Sequence, residues 1–128
     1  MYQHILIPTD GSKLADRAAA AGVRLAAALG ARITGLFVSP PATPLVYEHF
    51  MPVSYMTPEE HAAAIARAAE RCLGTLQKAA AAVGVPCEGI SVTSDFPADA
   101  IVETAAKRKC DLIFMASHGR RGVAAVLL

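Results

Sequence analysis

The order of elements in this sequence predicts an α/β fold built on a parallel sheet. Short apolar runs, rich in β-branched residues, alternate from beginning to end with longer stretches whose apolar residues recur at helical spacing. At 128 residues the chain has the length of one domain. Its 54% hydrophobic against 18% charged residues can fill a core, which excludes a disordered segment.

Ile5-Leu6-Ile7 reads as a strand buried on both faces, ended by Pro8 and Gly11. Ser12 caps the helix that follows, where Leu14, Ala18, Ala21, Leu25 and Leu29 share a face and Gly30 supplies the stop. Ile33 to Val38 is the second strand. Thr57-Pro58-Glu59-Glu60 is a capping box with proline in the first turn, and behind it Ile65, Ala69, Cys72, Leu76, Ala80 and Val83 form one apolar stripe, stopped at Gly84. Ile90 and Val92 alternate with Ser91 and Thr93, a third strand with one wetter face. Pro97 opens a third helix with Ile101, Ala105 and Val102 directed inward, and Leu112-Ile113-Phe114-Met115 is a fourth apolar strand. Right-handed crossovers are expected throughout.

Lys and Arg number 12 against 11 Asp and Glu, a net charge of +1 that gives no general attraction to nucleic acid or anionic lipid. Lys107-Arg108-Lys109 and Arg120-Arg121 are too short to track phosphates along a strand. No apolar run reaches the length of a membrane span, and Met1-Tyr2-Gln3-His4 is not the start of a secretory signal, so a cytoplasmic address is expected. Cys72, Cys87 and Cys110 lie 15 and 23 positions apart, without a C-x-x-C, and read as reduced structural thiols. His4, His49 and His61 share no ligand spacing.

Ligands of open α/β sheets bind beyond the carboxyl ends of strands, where strand order reverses. Two such ends stand out here. After the first strand comes Pro8-Thr9-Asp10-Gly11-Ser12, whose carboxylate is suited to a ribose hydroxyl or a magnesium ion, and equally to the loop amides at a helix entry. After the fourth comes Ala116-Ser117-His118-Gly119-Arg120-Arg121-Gly122, a phosphate-loop pattern followed by Val123–Leu128, which reads as a helix start. Neither a Walker lysine nor a G-x-G-x-x-G is present, and Ser117-His118 forms no nucleophile elbow. The proline-rich stretch Ser39 to Met56 is long for a connection. It reads as a cover for a sheet edge, or as a lid over a ligand or partner surface.

Taken together, Ile5-Leu6-Ile7-Pro8-Thr9-Asp10-Gly11-Ser12, the Asp111-Leu112-Ile113 strand and Ser117-His118-Gly119-Arg120-Arg121-Gly122 resemble the universal stress protein family, from residue 4 to the last. The resemblance implies an open, doubly wound parallel sheet, Rossmann-like and similar to the adenine nucleotide alpha hydrolases. Its implied strand order is 3-2-1-4-5, with the fifth strand absent from this chain. It further implies that ATP or AMP binds, and the magnesium ion that the Asp10 carboxylate suits would accompany it. Asp10 would then bond the ribose, the backbone of Val38 would meet adenine, and Pro8, Thr9 and Met115 would line base and sugar. His118, Gly119, Arg120, Arg121 and Gly122 would hold phosphates. ATP-binding members of the family carry G-x-x-G, nine residues, then G-S or G-T. Here Ala116 stands at the first glycine, and the chain stops one position before the closing pair.

The expected function is therefore a stress-response regulatory protein that binds an adenine nucleotide with little or no catalysis. Two other classes stand beside it, a slow ATPase and a nucleotide-free protein-interaction module. The apolar Val123–Leu128 and the exposed edge that the fourth strand would present lead to a further expectation. Residues 1–128 would be a single domain that is C-terminally incomplete, and the native protein a homodimer joined through that region.

Overall fold

The computed structural model describes residues 1–41 and 57–116, with the backbone of residues 123–127. In chain order the elements are β1 (His4–Pro8), α1 (Lys13–Leu29), β2 (Arg32–Ser39), α2 (Pro58–Ala82), β3 (Cys87–Thr93), α3 (Pro97–Lys107), β4 (Leu112–Ala116) and β5 (Val123–Leu127). They form one sheet in the order β3-β2-β1-β4-β5. The first four strands pair in parallel, as the alternation of elements predicts. Ile5, Leu6 and Ile7 of the central strand are fully buried.

Successive side chains of a strand point to opposite faces, and the two faces here have separate cores. Ile5, Ile7 and Ile33 pack with Ala19, Val23 and Ala26 of α1 and with Leu76 and Ala80 of α2. Leu6, Leu36 and Ile113 pack with Ile101 and Ala105 of α3 on the other face. The chain thus steps from β1 to β2 to β3 with its helices on one side, then recrosses to β4 with α3 on the other. The reversal falls between β1 and β4, so the sheet is doubly wound.

The buried face of α1 is turned from its expected position, and those of α2 and α3 differ at their margins. The buried face of α1 is Ala15, Ala18, Ala19, Gly22, Val23 and Ala26, while Leu14, Leu25 and Leu29 are half-buried at its margin. Close approach decides this: a Cβ on Gly22 would stand 2.6 Å from Ile7 Cδ1, so the helix lies on β1 by its smallest residues. In α2, Leu73 joins the stripe, whereas Val83 is 52% exposed because the helix ends at Ala82 and Val85 turns inward instead. In α3 the inner positions are Ala100, Ile101, Thr104 and Ala105, and Val102 is exposed. The caps are as expected. Ser12 Oγ accepts the Ala15 N–H at 3.1 Å, and Thr57 Oγ1 accepts that of Glu60 at 3.0 Å.

The carboxyl-terminal run corrects two expectations. Val123–Leu127 is a strand and not a helix start, and a fifth strand is present in this chain. It pairs antiparallel to β4, Leu112 opposite Leu127 through Ala116 opposite Val123. An apolar β4 left at the edge would expose a row of unpaired backbone groups, and an adjoining apolar segment satisfies them as a strand.

Candidate functional site: the crevice at the switch point

The β1–β2 ladder extends from His4 opposite Arg32 to Pro8 opposite Leu36, and the Thr9 N–H adds a last bond to the Leu36 carbonyl at 2.9 Å. On its other side, β1 pairs with β4 only at Ile5 opposite Leu112 and Leu6 opposite Ile113. Beyond Leu6 the sheet opens between β1 and β4, while β4 continues to Ala116 beside β5. Pro8, Thr9 and Asp10 stand on one side of the opening, Met115 and Ala116 on the other. Those two β4 residues are half-buried.

Val38 belongs to the same end. The Leu36 carbonyl faces β1, since Thr9 bonds it, whereas Ile33 and Ser39 bond across to the β3 side. Backbone direction alternates along a strand, so Val38, two residues past Leu36, also turns its N–H and C=O toward the β1 side. There β1 has already ended.

The loop after β1 is built from its own short side chains. Thr9 is buried, and its Oγ1 accepts the Gly11 N–H at 3.4 Å. One oxygen of Asp10 accepts the Ser12 N–H at 2.9 Å, so the carboxylate serves the helix entry while the residue remains exposed at the crevice. Gly11 carries a φ of +83°, a conformation that L side chains rarely adopt. Ser12 then starts α1, whose N-terminal amides favour an anion close by.

His118, Gly119, Arg120, Arg121 and Gly122 lie outside the described residues, as does the Ser39–Met56 loop from residue 42 onward. Pro8, Thr9, Asp10, Val38 and Met115 are brought to one end of the sheet, as expected. One residue that the sequence did not single out joins them. Cys72 of α2 is buried with its Sγ against Gly11, where a Cβ on residue 11 would meet it at 2.8 Å. Burial raises its pKa above the ordinary thiol value, Arg71 lowers it, and Asp16 and Asp10 raise it further, so it stays a protonated thiol. All three cysteines are free, and Cys87 is likewise pushed up to about 11 by burial.

The opposite, amino end of the sheet is organised otherwise. The Asp111 carboxylate accepts the N–H groups of Gln3 at 2.9 Å and His4 at 3.0 Å. Burial alone would raise its pKa, but these backbone bonds outweigh that and hold it below the ordinary carboxylate value. His4 is buried, its Nε2 is 2.6 Å from Thr34 Oγ1, and burial aided by Arg32 lowers its pKa. Two open depressions of about 380 and 630 Å³ share His4, Arg32 and Pro86 at this end. They lie across the sheet from the Asp10 loop and hold none of the candidate residues.

A doubly wound α/β domain whose strand order reverses between β1 and β4 belongs to the class of open-sheet scaffolds that place ligand-binding loops at a switch point, a class defined by topology. The universal stress protein family matches residues 1–128, and the chain belongs to that family. It is 34% identical over 128 residues to a universal stress protein of Thermus aquaticus, covering all of this chain and 86% of that one. Among solved structures it is similar to a universal stress family protein from Burkholderia pseudomallei, at a TM-score of 0.74 and 26% identity over 91% of this chain and 83% of that one. It also resembles a universal stress protein crystallised with cAMP, at a TM-score of 0.59 and 27% identity over 88% of this chain and 70% of that one.

Proposed function

We propose that this protein is a stress-response regulatory module that binds an adenine nucleotide, ATP or AMP, in the crevice between β1 and β4, with little or no catalysis of its own. The observation that carries this is the early end of the β1–β4 ladder at Leu6 and Ile113. It leaves a gap flanked by the Asp10 loop and by the crevice-facing backbone of Val38. The universal stress protein crystallised with cAMP supports an adenine ligand for the same fold. The residues suit it: the exposed Asp10 carboxylate receives ribose hydroxyls, the Val38 backbone matches the polar edge of adenine, and Pro8, Thr9 and Met115 give apolar and small contacts. His118, Gly119, Arg120, Arg121 and Gly122 are residue types suited to phosphates by backbone N–H groups and positive charge, and Asp10 is the residue that would hold an accompanying magnesium ion.

The described groups are those of recognition. Cys72 is a buried protonated thiol, and His4 is tied to Thr34 at the far end of the sheet. β5 forms the free edge of the sheet, the surface through which we read a cytoplasmic homodimer to assemble. No helix among the described residues is long and apolar enough to cross a membrane.

Mass spectrometry of small molecules released from the purified protein, followed by calorimetric titration with AMP, ATP and cAMP, tests the proposal. A co-purifying adenine nucleotide, or saturable binding at micromolar strength, is expected, with no phosphate released from ATP over hours. Neither retained nucleotide nor measurable binding would return the protein to the interaction-module class. Steady phosphate release would make it an ATPase.

A further inference from the structure

Cys72 sits in the middle of α2, a helix that sequence alone assigns to packing, yet its sulfur ends at the loop that carries Asp10. The sulfur occupies the space beside Gly11, since a Cβ there would stand 2.8 Å from it, and it is held from the helix side. Cys72 is 6% exposed and packs with Ala69, Leu73 and the Phe37 side chain of β2. Two turns of α2 lie close on the sheet, since a Cβ on Gly35 would stand 2.6 Å from Leu76 Cδ2 and 3.3 Å from Leu73 Cδ2. The sulfur therefore has a fixed place relative to β2. On the other side of the contact Gly11 has a φ of +83° and is held between Asp10 and Ser12, which are themselves bonded at 2.9 Å.

We infer that Cys72 is a positioning residue of the crevice: its sulfur takes up the space that a Cβ at position 11 would need, and so fixes the Asp10 carboxylate where a ribose meets it. This rests on the reading of the β1–β4 crevice as an adenine nucleotide site. A thiol suits the place by volume and by charge. It is small and apolar, and a thiolate there would face Asp10 and Asp16. A branched side chain at 72 pushes the loop away from the crevice, whereas serine, close in size and able to bond back to a carbonyl of its own helix, leaves the loop in place.

Calorimetric titration with AMP and thermal melts of Asp10→Ala, Cys72→Leu, Cys72→Ser, Cys72→Ala, Gly11→Ala and the double variant Gly11→Ala/Cys72→Ala test this. Cys72→Leu, with a good helix former next to Leu73 and Leu76, is expected to remain folded and lose about tenfold or more in AMP affinity. Cys72→Ser is expected to bind within about threefold of the parent. Gly11→Ala is expected to weaken binding, and part of that loss to be recovered in the double variant while its melting temperature stays below that of the parent, a separation of binding from stability that a cysteine serving packing alone does not produce. Wild-type affinity in Cys72→Leu, or the same Gly11→Ala loss with and without Cys72→Ala, overturns the inference. Should Cys72→Leu fail to fold, the Gly11/Cys72 cycle decides alone. Loss of binding in Asp10→Ala together with unaffected Cys72 variants removes only the positioning role, unaltered binding in Asp10→Ala removes Asp10 from the site and the inference with it, and absence of AMP binding in the parent removes the nucleotide site itself.

Discussion

The same three strands, β1, β2 and β4, behave differently at their two ends. At the amino end they are laced together. Asp111 takes two N–H groups of the chain entering β1, its own N–H donates to the His4 carbonyl at 2.9 Å, and His4 reaches across to Thr34 of β2. At the carboxyl end β1 keeps β2 as far as Thr9 but parts from β4 after Leu6. Placing the polar ties at one end leaves the other free to shape loops for a ligand without loosening the sheet.

Removing a group from each end should therefore give opposite signatures. Asp10→Ala takes away a charged hydrogen bond from the crevice, worth about 1.5–3 kcal/mol or roughly ten- to a hundredfold in nucleotide affinity, with little change in melting temperature. Equal calorimetric affinity in a fully folded variant would remove Asp10 from the site. Asp111→Ala should do the reverse. Losing both backbone bonds should cost about 2 kcal/mol of stability in denaturant titration, while AMP affinity stays unchanged. A variant that binds AMP poorly but melts normally would show the two ends to be coupled.

Smaller effects sharpen the contrast. Ala116 ends β4 at the mouth of the crevice, and Ala116→Gly should tighten ATP binding by giving the phosphates closer backbone approach, while lowering stability by up to ~1 kcal/mol. No gain in affinity would mean that the methyl does not crowd the ligand. The least effect is expected from pH. The folded state holds the His4 pKa below its ordinary 6.5, so the unfolded chain takes up the proton first. Stability is then complete above 6.5 and falls as pH drops through that value. Asp111, held below its ordinary 3.8, contributes above that pH and is lost below it. Melts recorded between about pH 8 and about pH 5 should slope downward in the parent and lose that slope in His4→Asn. A flat parent curve would mean that His4 accepts its proton in place.

Strand and helix order was legible because each element carries its own period and caps, Ser12 and Thr57 among them. Strand order came from the family resemblance, since pairing between β1 and β4 leaves no local trace. The face of α1 was misjudged, and Val102 of α3 with it, because large apolar residues were assumed to point inward. Packing distance kept Ala18 but favoured Ala15, Ala19 and Gly22 over the leucines, while Ile101 and Ala105 of α3 lie inward as expected and Val102 outside. Val123–Leu127 was read as a helix because a run of Val, Ala and Leu fits both periods at that length, and the unpaired edge of β4 decided for a strand. In the crevice, Asp10 stood out from its place at a strand end, whereas Pro8, Thr9, Val38 and Met115 came from the family resemblance. Cys72 could not be found, because its link to Gly11 is a contact across 61 positions that no spacing rule encodes.

The position of β1 has a consequence for how the protein is made. The strand leaves the ribosome before the other strands of its sheet, yet the bonds that seal its second edge come from Asp111, 107 positions beyond His4. At about 5–20 residues per second of synthesis, one side of the central, most buried strand waits roughly 5–20 s for its neighbour. During that interval Ile5, Leu6 and Ile7 can pair with β2 but present a bare edge on the other side. The central strand of the mature sheet is thus the exposed strand of the nascent one, and chaperone demand should be greatest before residue 112 has been translated.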